Sequence, residues 1–342
     1  MTDIEKALSV LELRENDPLN RWGCRKVKEK LRLDGVHVTR DWTMDFLRSE
    51  NVEAVANRHP LTRKQHKHGL YSAGPNEEWC VDGHEKLLTS MGIGVYGITD
   101  KFSRLELGLW ATPNPRDQDL PVAMWLRVVK KLGGMSVTLT CDKGTELGRL
   151  ITFATRLRDT FQPCLDEQTV PTVVATKSVK NITRERAWRP LWENELSNVA
   201  YEYKNGQIDA GYQPNDDFHQ AIARWTWAGI VQERLDRLIE ENSYHKVRKQ
   251  KDSLLPTGGR HIDFFSDPTR YNGVAGLLVP IPEADIDRLL AEHDKVHLTR
   301  FGDENQVILF EDLYHSIGSP RLVAKDGWKI FSTMIELYRS RF

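Results

Sequence analysis

Between residues 79 and 113 three runs, WCVDGHEKLL, IGVYGITD and RLELGLWATP, show the alternation of strands and are joined by short turn-like pieces. Connections this short pair neighbouring strands antiparallel. The period then changes. LPVAMWLRVVKKLG predicts a helix, SVTLTCD a strand, ELGRLITFATRLRDTF a helix, TVPTVVAT a strand, and a long helix runs from about Thr183 to Tyr203. The order βββαβαβα predicts a mixed five-stranded sheet with helices on its faces.

Within that frame the first strand carries Asp82, His84 and Glu85 among Trp79, Val81 and Leu87, where apolar surface is expected. Asp142 ends the fourth strand, where TLTCDKGTE passes from apolar to polar. If the two strands are neighbours, the carboxylates meet near the sheet centre. At about 4 Å and an effective dielectric of 20 they repel by roughly 4 kcal/mol. A shared proton relieves this, and so does a divalent cation such as Mg²⁺, which prefers hard oxygen ligands. In SVKNITRERAWRPLWENEL, Trp188, Trp192 and Leu196 keep a helical spacing, and Glu185 precedes Trp188 by three residues. That spacing puts Glu185 on the buried face, in the first turn, and turns Glu193 and Glu195 elsewhere. An acidic residue there also suits the helix dipole.

The segments GPNEEWCVDGHEKL, GITDKFSR, TCDKGTE and SVKNITRERAWRPLW, taken together and in this order, resemble the catalytic core of retroviral-type integrases and DDE transposases. The resemblance covers roughly residues 20 to 260 and points most nearly to integrase-core proteins of fungal genomes, relatives of mobile elements. It implies an RNase H-like fold and a triad of Asp82, Asp142 and Glu185 that binds two Mg²⁺ or Mn²⁺ ions and acts on DNA phosphodiesters. Asp100, Ser103 and Arg104 match a turn that holds the core together. Lys143, Lys180, Arg184 and Arg186 flank the acidic residues and are candidates for DNA phosphates, with His84 on the rim of the site. The chain departs from the pattern in three respects, one of them that Asn181 is followed by Ile182 where the family commonly has an Asn-Gly pair before the glutamate. No amino-terminal zinc module of His and Cys is present, and the stretch between Asp142 and Glu185 is longer than in retroviral integrases, which leaves Glu193 as an alternative third carboxylate.

The flanks are less informative. Residues 1–60 read as helical and helix-turn-helix-like: RKVKEKLRLDG forms a helix, Asp34 and Gly35 turn the chain, and a second helix opens at Thr39 or Asp41. Val27, Leu31, Leu33, Trp42, Met44, Phe46 and Leu47 supply the packing faces. Residues 61–76 read as a basic linker, 77–260 as the core with a trailing amphipathic helix over 216–242, and 261–342 as a small α+β extension. There VHLTRF and QVILFED look like strands. Lysine and arginine dominate between Arg21 and Lys67, and again in HKVRKQK, where Lys246, Arg248, Lys249 and Lys251 are candidate DNA contacts.

The net charge of −1 does not by itself advertise a nucleic-acid partner, and only these local clusters point to one. Cys24, Cys80, Cys141 and Cys164 include no C-x-x-C pair, which argues against disulfides and a cysteine zinc site. No run of about 18 apolar residues is present to span a bilayer, and the start MTDIEKALSV has no signal-peptide character. An intracellular protein is expected, nuclear by its substrate, and a homo-oligomer when two DNA ends are held together. Three functions remain open: a strand-transfer enzyme, a nuclease of the same fold, and a catalytically silent DNA-binding relative.

Overall fold

The computed structural model describes residues 1–51, 55, 70–176 and 181–341. Most of the predicted linker, together with His59, His66, His68 and Lys180, lies outside the described residues. Among these no helix is long and apolar enough to cross a membrane. The chain forms two compact units. One draws on Met1–His68, Pro190–Arg234 and Glu311–Phe342, the other on Gly69–Arg189 and Leu235–Phe310.

The second unit holds the strands, β1 (Glu78–His84), β2 (Gly94–Asp100), β3 (Glu106–Thr112), β4 (Gly134–Met135), β5 (Thr138–Cys141), β6 (Val173–Ala175) and β7 (Val279–Pro280). The main sheet has the order β3-β2-β1-β5-β6. The meander β1-β2-β3 is antiparallel, whereas β5 runs parallel to β1 and β6 parallel to β5. This is the mixed five-stranded sheet expected of an RNase H-like core. Strands β4 and β7 make a separate two-stranded ribbon.

Alternation sorts the side chains of the meander onto two faces. Trp79, Val81, Tyr96 and Ile98 join the helices Asp119–Leu132 and Gly148–Phe161 in the larger apolar core. Cys80, Asp82, His84 and Thr99 fall on the opposite face, which the helix Ile182–Leu191 covers. Asn181, just before that helix, donates from Nδ2 to the Val81 carbonyl at 3.1 Å. The turn after β2 is tied as its sequence suggests. Asp100 is fully buried and accepts from the Ser103 amide and the Asn76 amide, both at 2.8 Å. Arg104 adopts a positive φ of 59°, its guanidinium donates to the Pro256 carbonyl, and its own carbonyl accepts from His261 Nδ1 at 2.9 Å.

The first unit opens with three helices, α1 (Asp3–Arg14), α2 (Cys24–Leu33) and α3 (Arg40–Glu50). Gly35, at φ 77°, turns the chain after α2. Thr39 caps α3 by accepting from the Trp42 amide at 3.3 Å. Val10, Trp22, Val27, Leu31, Val38 and Leu47 form their shared core, with Trp42, Met44 and Phe46 packed at its edge. Tyr203, Trp227, Trp328 and Phe331 build a second aromatic centre, with ring centroids 5.2–5.4 Å apart.

Ile182–Leu191 runs on through a π-turn, Trp192–Leu196, into the helix Ser197–Asn205. Pro190 lacks the amide that would continue the ordinary hydrogen-bond ladder, and the helix widens just after it. The π-turn carries Glu195, exposed by only 1%. Lys26 and Arg234 contact its carboxylate directly, and Lys30 Nζ lies 3.6 Å from Oε2. Burial alone would raise its pKa, but Arg234, Lys26 and Lys30 together hold it well below the usual carboxylate range. Two lysines of the basic run after Arg21 are therefore committed inside the unit, Lys30 also stacking on Trp22 at 4.1 Å from the ring centroid.

The expected strands near the C-terminus are corrected. VHLTRF contains a single 3-10 turn, Val296–Leu298, and QVILFED lies inside the helix Glu304–Ser316. Asp303 and Gln306 explain the second case. The Gln306 amide donates to Asp303 Oδ1 at 2.9 Å and the Asp303 amide donates to Gln306 Oε1 at 3.0 Å, a reciprocal cap that starts a helix. Phe310 and Leu313 are buried while Ile308 is exposed, a helical rather than an alternating pattern.

Candidate functional site

Asp82 sits on β1 with 9% exposure, a carboxyl group inside a folded layer. Its Oδ1 accepts from the Gly83 amide at 2.9 Å and its Oδ2 from the Trp188 indole Nε1 at 2.8 Å. Burial pushes its pKa up to about 6, and repulsion from Asp142 and Glu185 adds to this, against the pull of the Trp188 hydrogen bond and the Arg184 charge.

The parallel register explains why Asp142 is felt there. Glu78, Trp79 and Cys80 pair with Thr138, Leu139 and Thr140, so the same offset carried two residues further sets Asp82 beside Asp142. Asp142 is half-buried just past β5 and accepts from the Gly144 amide at 3.1 Å. The two strands are neighbours, and the Asp142 charge acts on Asp82.

Glu185 is in the first turn of its helix, but exposed rather than on the buried face. The buried positions are Thr183, Arg184, Trp188 and Leu191, the last three spaced i, i+4, i+7, so the true face is rotated by one residue from the expected one. The residue that reaches Asp82 is Trp188. Glu193 belongs to the other compact unit.

Two of the DNA-contact candidates are corrected by their burial. Arg184 is wholly buried. Its Nη1 donates to Glu106 Oε2 at 2.6 Å and to Thr99 Oγ1, and the guanidinium stacks 3.8 Å from the Trp188 ring centroid. Gly97 on β2 makes room for it, since a Cβ there would come within 2.3 Å of Arg184 Nη2. His84 is buried against Trp188, ring centroids 5.0 Å apart, and burial lowers its pKa to about 4, so it is neutral at pH 7. Lys143, Arg186, Lys246, Arg248 and Lys249 are exposed. The last three lie on a hairpin-like loop tied by a Lys246–Arg260 bridge and by the Val247 amide donating to Gly259 at 2.9 Å.

Glu146 joins this neighbourhood without having been singled out. It sits four residues after Asp142 in the 3-10 turn Thr145–Leu147, close over Gly144, where a Cβ would meet its Oε1 at 2.1 Å. Burial first, then Asp82, Asp142 and Glu146, raise the pKa of the wholly buried Tyr96 hydroxyl. The acidic residue near the end of TCDKGTE was the available signal.

The donors around Asp82 are hard carboxylate oxygens, the set that suits Mg²⁺ or Mn²⁺, and the buried Asp82 lies among like charges that a cation would neutralise. The residues fit such an ion in kind. Among the described residues, however, no three His, Cys, Asp or Glu side chains already converge as a ligand set. Glu185, the third carboxylate expected, stands exposed.

The model of the Integrase core domain family matches residues 70–257 of the chain. No curated protein sequence matches it. Among solved structures, the simian T-cell lymphotropic virus intasome in complex with the PP2A regulatory subunit B56 gamma is similar at 15% identity and a TM-score of 0.33, over 70% of this chain and 71% of that one.

Proposed function

We propose, from the premise that this chain belongs to the integrase core domain family, that it is a divalent-metal-dependent enzyme that cuts DNA phosphodiesters and joins DNA ends. What supports the reading is the parallel pairing of β1 with β5, whose register runs on toward Asp82 and Asp142, together with the raised pKa of buried Asp82, to which repulsion from Asp142 adds. In this reading Asp82, Asp142 and Glu185 hold two Mg²⁺ or Mn²⁺ ions, Glu185 by swinging in from its exposed position. Such ions, when bound, activate the attacking oxygen and stabilise the leaving one.

The chain's own residues do the rest. The Gly83 amide and the Trp188 indole fix the Asp82 carboxylate, so its remaining lone pairs are aimed before any ligand arrives. Exposed Lys143 and Arg186 meet phosphates near the reacting bond, and Lys246, Arg248, Lys249 and Lys251 follow the backbone further away. DNA is the substrate, two copies of the chain bring two ends together, and the nucleus is the place of action.

Nicking of supercoiled plasmid with Mn²⁺ tests the proposal. Asp82→Asn, Asp142→Asn and Glu185→Gln are each expected to lose at least about 100-fold, the upper end of what even a ligand's supporting partner carries. Wild-type protein that never nicks would reject it. Joining of end oligonucleotides then separates strand transfer from plain hydrolysis. Replacing the four basic loop residues with Ala is expected to lower the salt slope of DNA binding by roughly 3 to 4.

One observation favours a second reading. The absence of a closed three-ligand set among the described residues suits a catalytically silent relative that binds DNA through its basic residues. Metal-dependent nicking rejects that alternative as well.

A further inference from the structure

The buried face of the helix Ile182–Leu191 brings one side chain to Asp82 that is itself neither acidic nor basic. Trp188, exposed by 5%, sends its indole Nε1 proton to Asp82 Oδ2 at 2.8 Å. Its ring is held on its own account. The Arg184 guanidinium stacks 3.8 Å from the ring centroid, and the His84 ring packs at 5.0 Å, tilted by 40°. Arg184 in turn is anchored to β3 through Glu106 and to β2 through Thr99. The indole therefore has little freedom to leave, and an aspartate held from two directions loses its own rotation about the Cβ–Cγ bond.

We propose that Trp188 is a positioning residue for metal binding: its indole N–H locks the Asp82 carboxylate in the orientation that receives the ion, and the Arg184–Glu106 pair braces the indole. The inference rests on the metal-binding reading above. A hydrogen-bond partner that fixes one ligand oxygen leaves the other lone pairs directed outward and removes the entropy cost of orienting them on binding. The carboxylate then receives the ion without rearranging. Arg184 and Glu106 act one contact further back, since both are buried, neither bonds the Asp82 carboxylate directly, and what they hold is the plane of the ring.

Two variants separate the proton from the packing. Trp188→Phe keeps an aromatic ring on Arg184 but has no donor. Replacing Trp188 with β-(3-benzothienyl)alanine keeps the full bicyclic shape and exchanges only N–H for sulfur, so its fold should match that of the wild type. The readout is the Mn²⁺ dissociation constant of the full chain by calorimetry, with Asp82→Asn as control. The expected result is binding weakened about tenfold in both variants. Glu106→Gln, which loosens the brace, is expected to weaken it less.

A benzothienyl variant that binds Mn²⁺ within threefold of the wild type overturns the inference while leaving the metal site standing. Wild-type protein that takes up no Mn²⁺, or Asp82→Asn that binds as the wild type does, overturns the metal reading and this inference with it. A structural role alone would move the melting temperature of Trp188→Phe but not the affinity of the isosteric variant.

Discussion

Glu195 and Asp82 are both carboxylates taken out of water, and the structure treats them in opposite ways. Glu195, on the π-turn of the first unit, is met by Lys26, Lys30 and Arg234, and its pKa is held low. Asp82, on β1 of the second unit, has two neutral donors and a pKa that burial pushes up to about 6; repulsion from Asp142 and Glu185 adds to this, and the one cation pulling the other way, Arg184, is already paired with Glu106. Burial is common to both, so burial does not separate a structural carboxylate from a reactive one. What separates them is whether the protein supplies the counter-charge. A buried charge already neutralised by its own fold has no need of a ligand, whereas one left among like charges creates a place for a cation.

The largest effect expected from this contrast is on Glu195. Glu195→Gln leaves three cations without their anion and should lower unfolding free energy by about 3 to 5 kcal/mol, as read by urea titration. Asp82→Asn should act in the other direction in metal-free buffer. Raising a carboxyl from 3.8 to about 6 corresponds to roughly 3 kcal/mol, so removing the charge stabilises by up to that amount at pH 7. A destabilised Asp82→Asn would break the comparison.

The pH dependence carries the same signs. Between pH 3.8 and about 6 the unfolded chain has released the Asp82 proton and the folded chain still holds it, so stability falls as pH rises through that window. Glu195, with its folded pKa below the ordinary 4.5, contributes fully above that value and loses its contribution as pH falls below it. Urea titrations of the wild type against each variant should show the Asp82 slope between pH 4 and 6 and the Glu195 slope below pH 4.5. Mn²⁺ at a hundredfold its dissociation constant should stabilise the wild type by about 2.7 kcal/mol and leave Asp82→Asn unmoved, which thermal melting in the presence of the ion checks. Glu185→Gln, which removes one of the charges repelling Asp82, should raise metal-free stability at pH 7 by less than Asp82→Asn does.

Much of the candidate site could be read before any coordinates. The alternation of WCVDGHEKLL and the break in TLTCDKGTE put Asp82 within one strand and Asp142 at the end of another, because strand period is a local property, while the neighbouring of those strands is seen only in the sheet. The helix bearing Glu185 was legible too, but its face was not. Trp188, Trp192 and Leu196 suggested one stripe, while the buried stripe is Arg184, Trp188 and Leu191, because Arg184 satisfies its charge on Glu106 and enters a layer that composition reserves for apolar groups. The same reason hid His84, and it hid the pairing of Lys26 and Lys30 with Glu195, which joins residues far apart in the chain. Near the C-terminus the β-branched run of QVILFED pointed to a strand, and the reciprocal cap between Asp303 and Gln306 outweighed it.

By itself, then, the amino-acid order determined which segments alternate and which wind, and the sequence of strands and helices; that β1 lies beside β5 came from the tertiary structure. The pattern and order of the segments are consequences of period and connection length, which act over a few residues at a time. Only the tertiary structure decided which buried charges find partners within the fold and which are left for a ligand. That choice depends on groups from distant segments meeting in a poorly solvating interior, where each Coulomb contact counts for far more than it does along an exposed chain.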